Sequence, residues 1–192
     1  MHSFVYRANA LLTFAGTTLA FMAILATITD VFHKTDTDVS VKLARVERLQ
    51  FLKNGNDEAY LAFEINADLR TLFSWNTKQL FVFLAAEYST PQNQLNQVSL
   101  WDRIIEHEDD AVLKLPYVRN KYKLIDQGRN LRGKAVNLTL SWNIMPVSGR
   151  LQWGRVVFPD VQLPSEYTSM DHSPNFRTMG VGHDGFERAA TL

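Results

Sequence analysis

The longest apolar segment of the chain lies close to its N-terminus. Residues 8–29 form a run of 22 uncharged positions, and as an α-helix this run would be about 33 Å long. That length matches the ~30 Å hydrocarbon core of a bilayer. The pattern therefore predicts a single transmembrane helix over residues 8–31, preceded by a short N-terminus of residues 1–7.

A cleaved secretory signal peptide is the alternative for this segment, with Thr18-Leu19-Ala20 as a cleavage site of the small-x-small type. The apolar stretch of a signal peptide is about 7 to 15 residues long. The run in this chain continues further, through Phe21, Met22 and Leu25. We therefore expect the helix to be retained as a signal-anchor.

Residues 35–164 contain several short segments in which apolar and polar residues alternate, which is typical of β-strands. One of these segments has Leu61 and Phe63 on the same face, and Asp68 is placed to cap a short helical turn after it. Gln79–Tyr88 is apolar on both faces, which predicts a central strand covered on both sides. Short strands separated by turn residues, with almost no helical periodicity, predict a mainly β body that forms one antiparallel β-sandwich or partial barrel.

Two of the tryptophans are candidates for contact with another molecule. Alternation over residues 98–104 assigns Trp101 to the face opposite Leu100, where it is either covered by a second layer or available to another protein. Trp75 follows a short predicted turn and can face either way. We therefore name Trp75, Asn76 and Trp101 as a candidate partner interface.

The clearest predicted strand covers residues 136–144, and its polar side begins at Asn137. Asn137-Leu138-Thr139 is the only N-x-Ser/Thr acceptor for N-linked glycosylation in the chain. A glycan on that polar face would leave the core undisturbed. Because this modification takes place in the lumen of the secretory pathway, it predicts a cytosolic N-terminus and a lumenal body. The flanking charges, Arg7 against Lys34, give little preference of their own.

Residues 165–192 show no periodicity and consist mainly of polar residues and glycine with scattered Met and Phe. A segment of this composition cannot bury enough apolar surface to offset the entropy of ordering. We therefore expect a disordered C-terminal tail there.

Composition narrows the classes of function. Lys and Arg total 20 and Asp and Glu total 20, so the formal net charge is zero and no long-range field attracts nucleic acid. The chain contains no cysteine, which excludes disulfides, zinc–cysteine sites and thiol nucleophiles. Apolar packing or partners must therefore hold the body together.

Candidate catalytic chemistry is sparse. The five histidines lie beside the predicted helix, in the acidic loop at residues 106–110, or in the tail. The sequence contains no G-x-S-x-G, no H-E-x-x-H and no phosphate-binding glycine loop, and the acidic loop lacks the EF-hand spacing. We expect no catalytic residue, no bound metal and no cofactor.

Several blocks of sequence follow one another in a specific order from the predicted helix to about Pro146. They are Arg7–Ala10, Ala67–Leu69, Leu72–Gln79, Ala86–Thr90, Leu95–Asp102, Asn120–Tyr122 and Asn137–Asn143. In these blocks the chain resembles the family of signal peptidase complex subunit 3, the small type II membrane subunit of the eukaryotic complex, in a plant-like version. The resemblance covers most of the chain.

The resemblance implies a single-pass type II protein of the endoplasmic reticulum membrane with a glycosylated lumenal β-sandwich. In that family the serine nucleophile belongs to a different subunit, which the subunit resembled here supports and positions. The implied partners are the catalytic and accessory subunits, membrane lipid and, indirectly, nascent chains with signal peptides. Only Asn137 carries over as a functional position, as the glycan acceptor.

Two other classes of function remain as alternatives. A membrane-tethered lumenal sandwich could bind glycans or unfolded clients through exposed aromatic residues such as Trp101. A free-standing protease would need a nucleophile and a base within hydrogen-bonding reach, and the sequence offers no credible pair.

Overall fold

The computed structural model describes residues 3–30, 32–33 and 35–168, and within them one α-helix precedes eight β-strands. The helix, α1, spans Phe4–Asp30. The strands are β1 (Asp38–Phe51), β2 (Asp57–Asp68), β3 (Thr77–Tyr88), β4 (Asn96–Ile105), β5 (Val112–Arg119), β6 (Leu124–Ile125), β7 (Ala135–Pro146) and β8 (Gln152–Gln162). Short 3₁₀ turns cover Arg70–Leu72 and Glu108–Ala111.

The helix α1 has 27 residues and is long and apolar enough to cross a membrane. It begins at Phe4, before the uncharged run, because polar residues such as Arg7 and Asn9 continue a helix readily at its end. Threonines within the run donate their hydroxyls to carbonyl oxygens one turn earlier, as Thr13 does to Asn9 at 2.9 Å. Their polarity is thus satisfied inside the helix, which makes them compatible with lipid.

The strands form two antiparallel sheets. In the first sheet β1, β2 and β5 are neighbours in that order, and β6 pairs with the start of β2. In the second sheet the order is β4, β3, β7 and β8. The two sheets pack face to face around one hydrophobic core, which confirms the predicted antiparallel β-sandwich.

The core lies between the sheets and is built from the inward positions of each strand. From β2 it receives Leu61, Phe63 and Ile65, which are almost completely buried. From the second sheet it receives Leu80, Val82 and Leu84 of β3 together with Leu138, Leu140 and Trp142 of β7. The strand over Gln79–Tyr88 is central, as predicted, because it pairs with β4 on one side and β7 on the other. The prediction that both of its faces are covered is wrong for Phe81 and Phe83, which lie on the side away from the core and are only half-buried.

A β-bulge in β4 changes the faces predicted from alternation. Leu84 pairs with Trp101 and the next residue, Ala85, pairs with Ser99, so Leu100 is an extra residue on β4. Because of this extra residue Leu100 and Trp101 both belong to the core, and Ile104 lies on the opposite face instead. A bulge of this kind shifts the alternation of every later position in the strand.

The chain after β8 returns to the first sheet. Backbone hydrogen bonds join Leu49 and Thr168 in both directions at 3.1 and 2.9 Å, and the hydroxyl of Tyr167 donates to Asp57 at 2.8 Å. These residues pack on the sandwich, although the sequence placed them in a disordered tail. Residues 169–192, the rest of the predicted tail, lie outside the described residues.

Candidate functional site

The C-terminal end of α1 is bonded directly to the sandwich. The carboxylate of Asp30 accepts a hydrogen bond from the hydroxyl of Ser74 at 2.8 Å and another from Nδ2 of Asn76 at 2.6 Å. Both partners lie in the segment that leads into β3. Hydrogen bonds to a charged carboxylate are stronger than those between neutral groups, so these two contacts tie the helix firmly to the second sheet.

Asn76 connects α1 to the turn between β7 and β8 as well. Its Nδ2 also donates to the carbonyl oxygen of Ser148 at 2.8 Å, and its Oδ1 accepts from the backbone N–H of Ser148 at 3.1 Å. The backbone N–H of Val147 donates to the carbonyl oxygen of Asn76 at 2.7 Å. We call Asp30, Ser74, Asn76 and Ser148 the helix junction, because they join three separate segments of the chain.

The β7–β8 turn continues along the side of α1. The hydroxyl of Ser148 donates to the carbonyl oxygen of Ala23 at 3.3 Å. At Gly149, where φ is +113°, a Cβ atom would lie 2.9 Å from Oγ1 of Thr27, so only glycine fits this approach. Along α1 the half-buried positions near the junction are Ala23, Ala26, Thr27 and Asp30, a spacing that places them on one helical face.

Asp68 and Arg70 order the 3₁₀ turn at the same end of the sandwich. The backbone N–H of Arg70 donates to Oδ1 of Asp68 at 3.2 Å, and the Arg70 guanidinium lies 2.6 Å from Oδ2. The N-cap residue of the turn is Leu69, so Asp68 bonds to the turn from one residue before the predicted cap position. Hydrogen bonds from the Arg70 side chain and backbone lower the pKa of Asp68 to about 2. A further hydrogen bond joins this turn to the segment after α1, because Nε2 of His33 donates to the carbonyl oxygen of Thr71 at 2.8 Å.

The three residues named as a candidate partner interface are in three different environments. Trp101 is 6% exposed and packs in the core, so the layer of the first sheet covers it. Asn76 is 2% exposed and uses its whole side chain within the helix junction. Neither residue offers a surface to a partner, and only Trp75 is exposed.

The second sheet has a largely uncovered side, which we call the outer face and define by Phe81, Phe83, Ile104, Trp153 and Val157. These residues lie on the side of the sheet away from the core. Trp153 is 67% exposed and Ile104 is 53% exposed. Phe81 and Phe83 stack on each other with ring centroids 5.6 Å apart. The register also places Asp102 and Arg155 on this side, in line with Phe83. The outer face is thus an aromatic-rich surface with one charged residue on each of its two edge strands.

Small polar residues of β7 run along the middle of the outer face. The register places Asn143 between Phe81 and Trp153, and Thr139 between Ala85 and Val157. Thr139 and Asn143 are buried and lie on β7, a central strand of the sheet. Among the described residues, Oγ1 of Thr139 and Oδ1 of Asn143 have no hydrogen-bond partner. The outer face therefore forms a shallow trough with apolar walls and a polar floor.

Asn137 lies on β7 at the end of the outer face farthest from the helix junction. It precedes Pro146 by nine residues, about 30 Å along an extended strand. Its side chain is half-buried, and Oδ1 accepts a hydrogen bond from the backbone N–H of Asp160 at 3.3 Å. Nδ2, the atom to which a glycan attaches, takes no part in that bond.

Sequence reasoning assigned no separate role to Trp153 or to the junction contacts of Asn76. For Trp153 a signal was present, because Leu151, Trp153, Arg155 and Val157 alternate along one predicted strand and place three apolar residues on one face. For Asn76 the hydrogen-bond partners lie 46 and 72 residues away in the chain. The pattern of residues around Asn76 cannot predict contacts between segments so far apart in sequence.

The opposite end of the sandwich carries a polar cavity of about 320 Å³ lined in part by Tyr88, Asn96, Asp126 and Asn130. Burial and the adjacent Asp126 carboxylate raise the pKa of Tyr88, whose hydroxyl donates to Asp126 at 3.0 Å. Within residues 3–30, 32–33 and 35–168, no three Asp, Glu or His side chains lie close enough together to hold a metal ion.

Within the described residues, a helix that is apolar enough to cross a membrane is bonded to an antiparallel β-sandwich, which defines the class of β-sandwich proteins with an N-terminal apolar helix. The chain belongs to the signal peptidase subunit family, whose sequence model matches residues 1–166.

Relatives with the name signal peptidase complex subunit 3 extend over most of the chain. The protein of Gallus gallus is 41% identical over 157 residues, which cover 79% of this chain and 87% of the relative. The Homo sapiens protein is 39% identical over the same shares. The Dictyostelium discoideum protein is 34% identical over 167 residues, covering 87% of this chain and 97% of the relative.

Proposed function

We propose that this chain is a non-catalytic subunit of the endoplasmic reticulum signal peptidase complex. In this role it supports and positions the catalytic subunit while signal peptides are removed from nascent secretory proteins, and it meets those nascent chains only indirectly. Support comes from its family and from relatives that carry the subunit's name over nearly their whole length.

The observation that carries the proposal is the outer face of the second sheet. Exposed apolar patches of this kind mark protein–protein contacts in soluble domains, and tryptophan is among the residues that dominate binding energy at such contacts. The polar floor at Asn143 and Thr139 would gain hydrogen bonds from a partner, because its atoms have none within the described chain. We assign this face to the partner subunit.

The helix α1 acts in this proposal as the retained membrane anchor, with the N-terminus in the cytosol and the sandwich in the lumen. Its length and composition suit a single span. A lumenal sandwich also exposes Asn137 to the glycosylation machinery. The protein is then a single-pass type II glycoprotein of the endoplasmic reticulum membrane.

The helix junction suggests how such a subunit positions its partner. Because α1 is bonded to β3 and to the β7–β8 turn, the sandwich has a defined height and orientation relative to the bilayer. A partner held on the outer face shares that height. Cleavage sites near the membrane surface would then be presented to the partner's catalytic residues in a fixed geometry.

A charge introduced on the outer face by substitution tests whether this face binds the catalytic subunit. Trp153→Arg should lower recovery of the catalytic subunit with the tagged chain by about tenfold or more, since it places a charge where an apolar contact is buried. Leu95→Arg, at an exposed leucine in the β3–β4 connection, is the matched control and should leave recovery unchanged. Equal recovery with both variants, each with an unchanged thermal midpoint, would remove the outer face from the proposal.

Activity tests the non-catalytic role separately. The purified full-length chain should not cleave a signal-peptide substrate. Membranes depleted of the chain should lose signal-peptide cleavage, or should contain less of the catalytic subunit because that subunit is no longer stable. Cleavage by the chain alone would refute the non-catalytic role, and so would normal signal-peptide cleavage at the normal sites in the absence of the chain.

The glycan-binding alternative relied on Trp101 as an exposed residue, and Trp101 is buried.

A further inference from the structure

We propose that the end of the sandwich bonded to α1 rests on the bilayer through a membrane-facing tip, formed by Phe32, Trp75 and Val147, whose side chains enter the interfacial layer of phospholipid. This inference depends on the proposed function in one respect, the retention of α1 in the membrane. It concerns a lipid contact of the sandwich itself, separate from the helix and from the outer face.

The three residues surround the helix junction. Phe32 follows the end of α1, and its backbone N–H donates to the carbonyl oxygen of Thr29 at 3.2 Å. Trp75 lies between Ser74 and Asn76, which both donate to Asp30. Val147 immediately precedes the serine of the junction, in the β7–β8 turn. The tip is therefore continuous with the membrane-spanning helix.

All three side chains are between 72% and 80% exposed. Single exposed apolar residues are common on protein surfaces, but these three are grouped around the end of the helix that is apolar enough to cross a membrane. Tryptophan is enriched at membrane interfaces, where its ring can lie among acyl chains while its N–H contacts headgroups. A bilayer surface accounts for all three residues together.

The contacts along α1 determine the depth of the tip. The β7–β8 turn touches Ala23 and Thr27, and Ala23 lies seven residues, about 10 Å, before the end of the helix at Asp30. If the turn stood clear of the membrane, only residues 8–22 of the uncharged run would remain to cross it. These residues would span about 22 Å, short of the ~30 Å hydrocarbon core. When the full run is embedded, the turn lies at the lipid interface.

Charges near the tip agree with this placement. Lys78 and Arg150 are exposed and each lies three residues from a tip residue, where they can contact lipid phosphates. An acidic loop, residues 106–110, follows the edge strand β4 at the same end. The two basic residues lie in the segments that carry Trp75 and Val147.

Single cysteine labels test the tip, because the natural chain has no cysteine. Trp75→Cys and Val147→Cys variants of the full-length chain would each carry an environment-sensitive fluorophore in phosphatidylcholine nanodiscs, with spin-labelled lipids as quenchers. Leu95→Cys, exposed at the opposite end of the sandwich, is the aqueous control. Leu12→Cys, exposed in the N-terminal half of the apolar helix, reports insertion of α1 independently.

We expect lipid quenching at residues 75 and 147 to be about threefold or more above that at residue 95, with shallow quenchers most effective. Quenching at residue 12 with aqueous signals at both tip positions would overturn the inference and leave the anchor intact. Tip labels that become shielded only when other subunits are added would also overturn it, in favour of a protein contact. Absence of quenching at residue 12 would remove the anchor and the inference together.

Discussion

Thr139 has a hydroxyl that would serve the maturation of the chain but does not stabilise the isolated folded chain. It is completely buried in β7, and its hydroxyl has no partner among the described residues. A buried hydroxyl without a hydrogen bond costs about 1–3 kcal/mol. Thr139 is also the hydroxyl residue of the Asn137 acceptor triplet. We infer that the hydroxyl is needed before β7 joins the sheet.

Replacement of Thr139 separates the two roles. Thr139→Val should abolish glycosylation and raise the free energy of unfolding by about 1 kcal/mol relative to enzymatically deglycosylated wild type, because it removes the unpaired hydroxyl and keeps the shape. Gel mobility and chemical denaturation measure the two effects. Thr139→Ser is the control that keeps the acceptor. A clear loss of stability in the valine variant would show that the hydroxyl is bonded in the native state.

Gly154 is packed so closely against an aromatic ring that a larger residue would not fit. A Cβ atom at this position would lie 2.4 Å from Cε2 and Nε1 of Trp142, the residue paired with it across β7 and β8. Gly154→Ala should therefore lower the free energy of unfolding by about 1–3 kcal/mol through overpacking. The neighbouring exposed Arg155→Ala should change it far less in the same denaturation experiment. Equal changes in the free energy of unfolding for the two variants would mean that the Trp142 ring moves aside without destabilising the fold.

At the scale of elements, the helix and the second sheet form one unit through the helix junction. Asn76 makes contacts to Asp30 and to Ser148 that no other described residue can replace, because its amide both donates and accepts. Loss of this side chain leaves the Asp30 carboxylate with Ser74 as its remaining side-chain donor. The junction thus depends on one amide more than on any packing contact.

Asn76→Ala should allow α1 to separate from the β7–β8 turn. In a chain that carries Ala23→Cys and Ser148→Cys, a short thiol cross-linker should join the two positions efficiently, since the Ser148 hydroxyl lies 3.3 Å from the carbonyl oxygen of Ala23. Adding Asn76→Ala should reduce the yield severalfold because the turn is no longer held in place. Lys78→Ala, at a nearby exposed residue, is the control. An unchanged yield would contradict the role given to Asn76.

The elements differ in how far sequence alone predicts them. Alternation correctly placed Leu61 and Phe63 on one buried face of their strand, since one face of each strand must be apolar. It failed at Trp101, because a bulge one residue earlier is a tertiary adjustment with no signature in composition. Likewise the partners of Asn76 come from segments that only the fold brings together, so the helix junction could not be predicted.

At the scale of the whole molecule, the outer face has two distinct ends. The exposed aromatic residues lie towards the helix junction, and Asn137 lies about 20 Å further along β7 from Asn143. A glycan at Asn137 would therefore leave the trough between Phe81 and Trp153 open. Modification and partner binding are compatible on the same sheet.

Orientation of the whole molecule can be measured directly. After microsomes are dissolved in detergent, the chain should lose the mass of one glycan on endoglycosidase treatment, and Asn137→Gln should already migrate at the lower mass because it removes the single acceptor. Protease protection is measured in intact, sealed microsomes. Added protease should digest a tag at the N-terminus and spare the sandwich. A digested sandwich without a glycan would place the body in the cytosol and contradict the proposed topology.

The central position of β7 also determines when the second sheet can form during synthesis of the chain. Val82 of β3 pairs with Trp142, about 60 residues later in the chain, so β3 and β4 emerge from the ribosome long before the strand that completes their sheet. During this interval an apolar strand edge is open to chaperones and to aggregation. In the proposed topology the same delay would keep the Asn137 triplet accessible to the glycosylating enzyme. Slower elongation ahead of β7 should therefore raise glycan occupancy and chaperone dependence together.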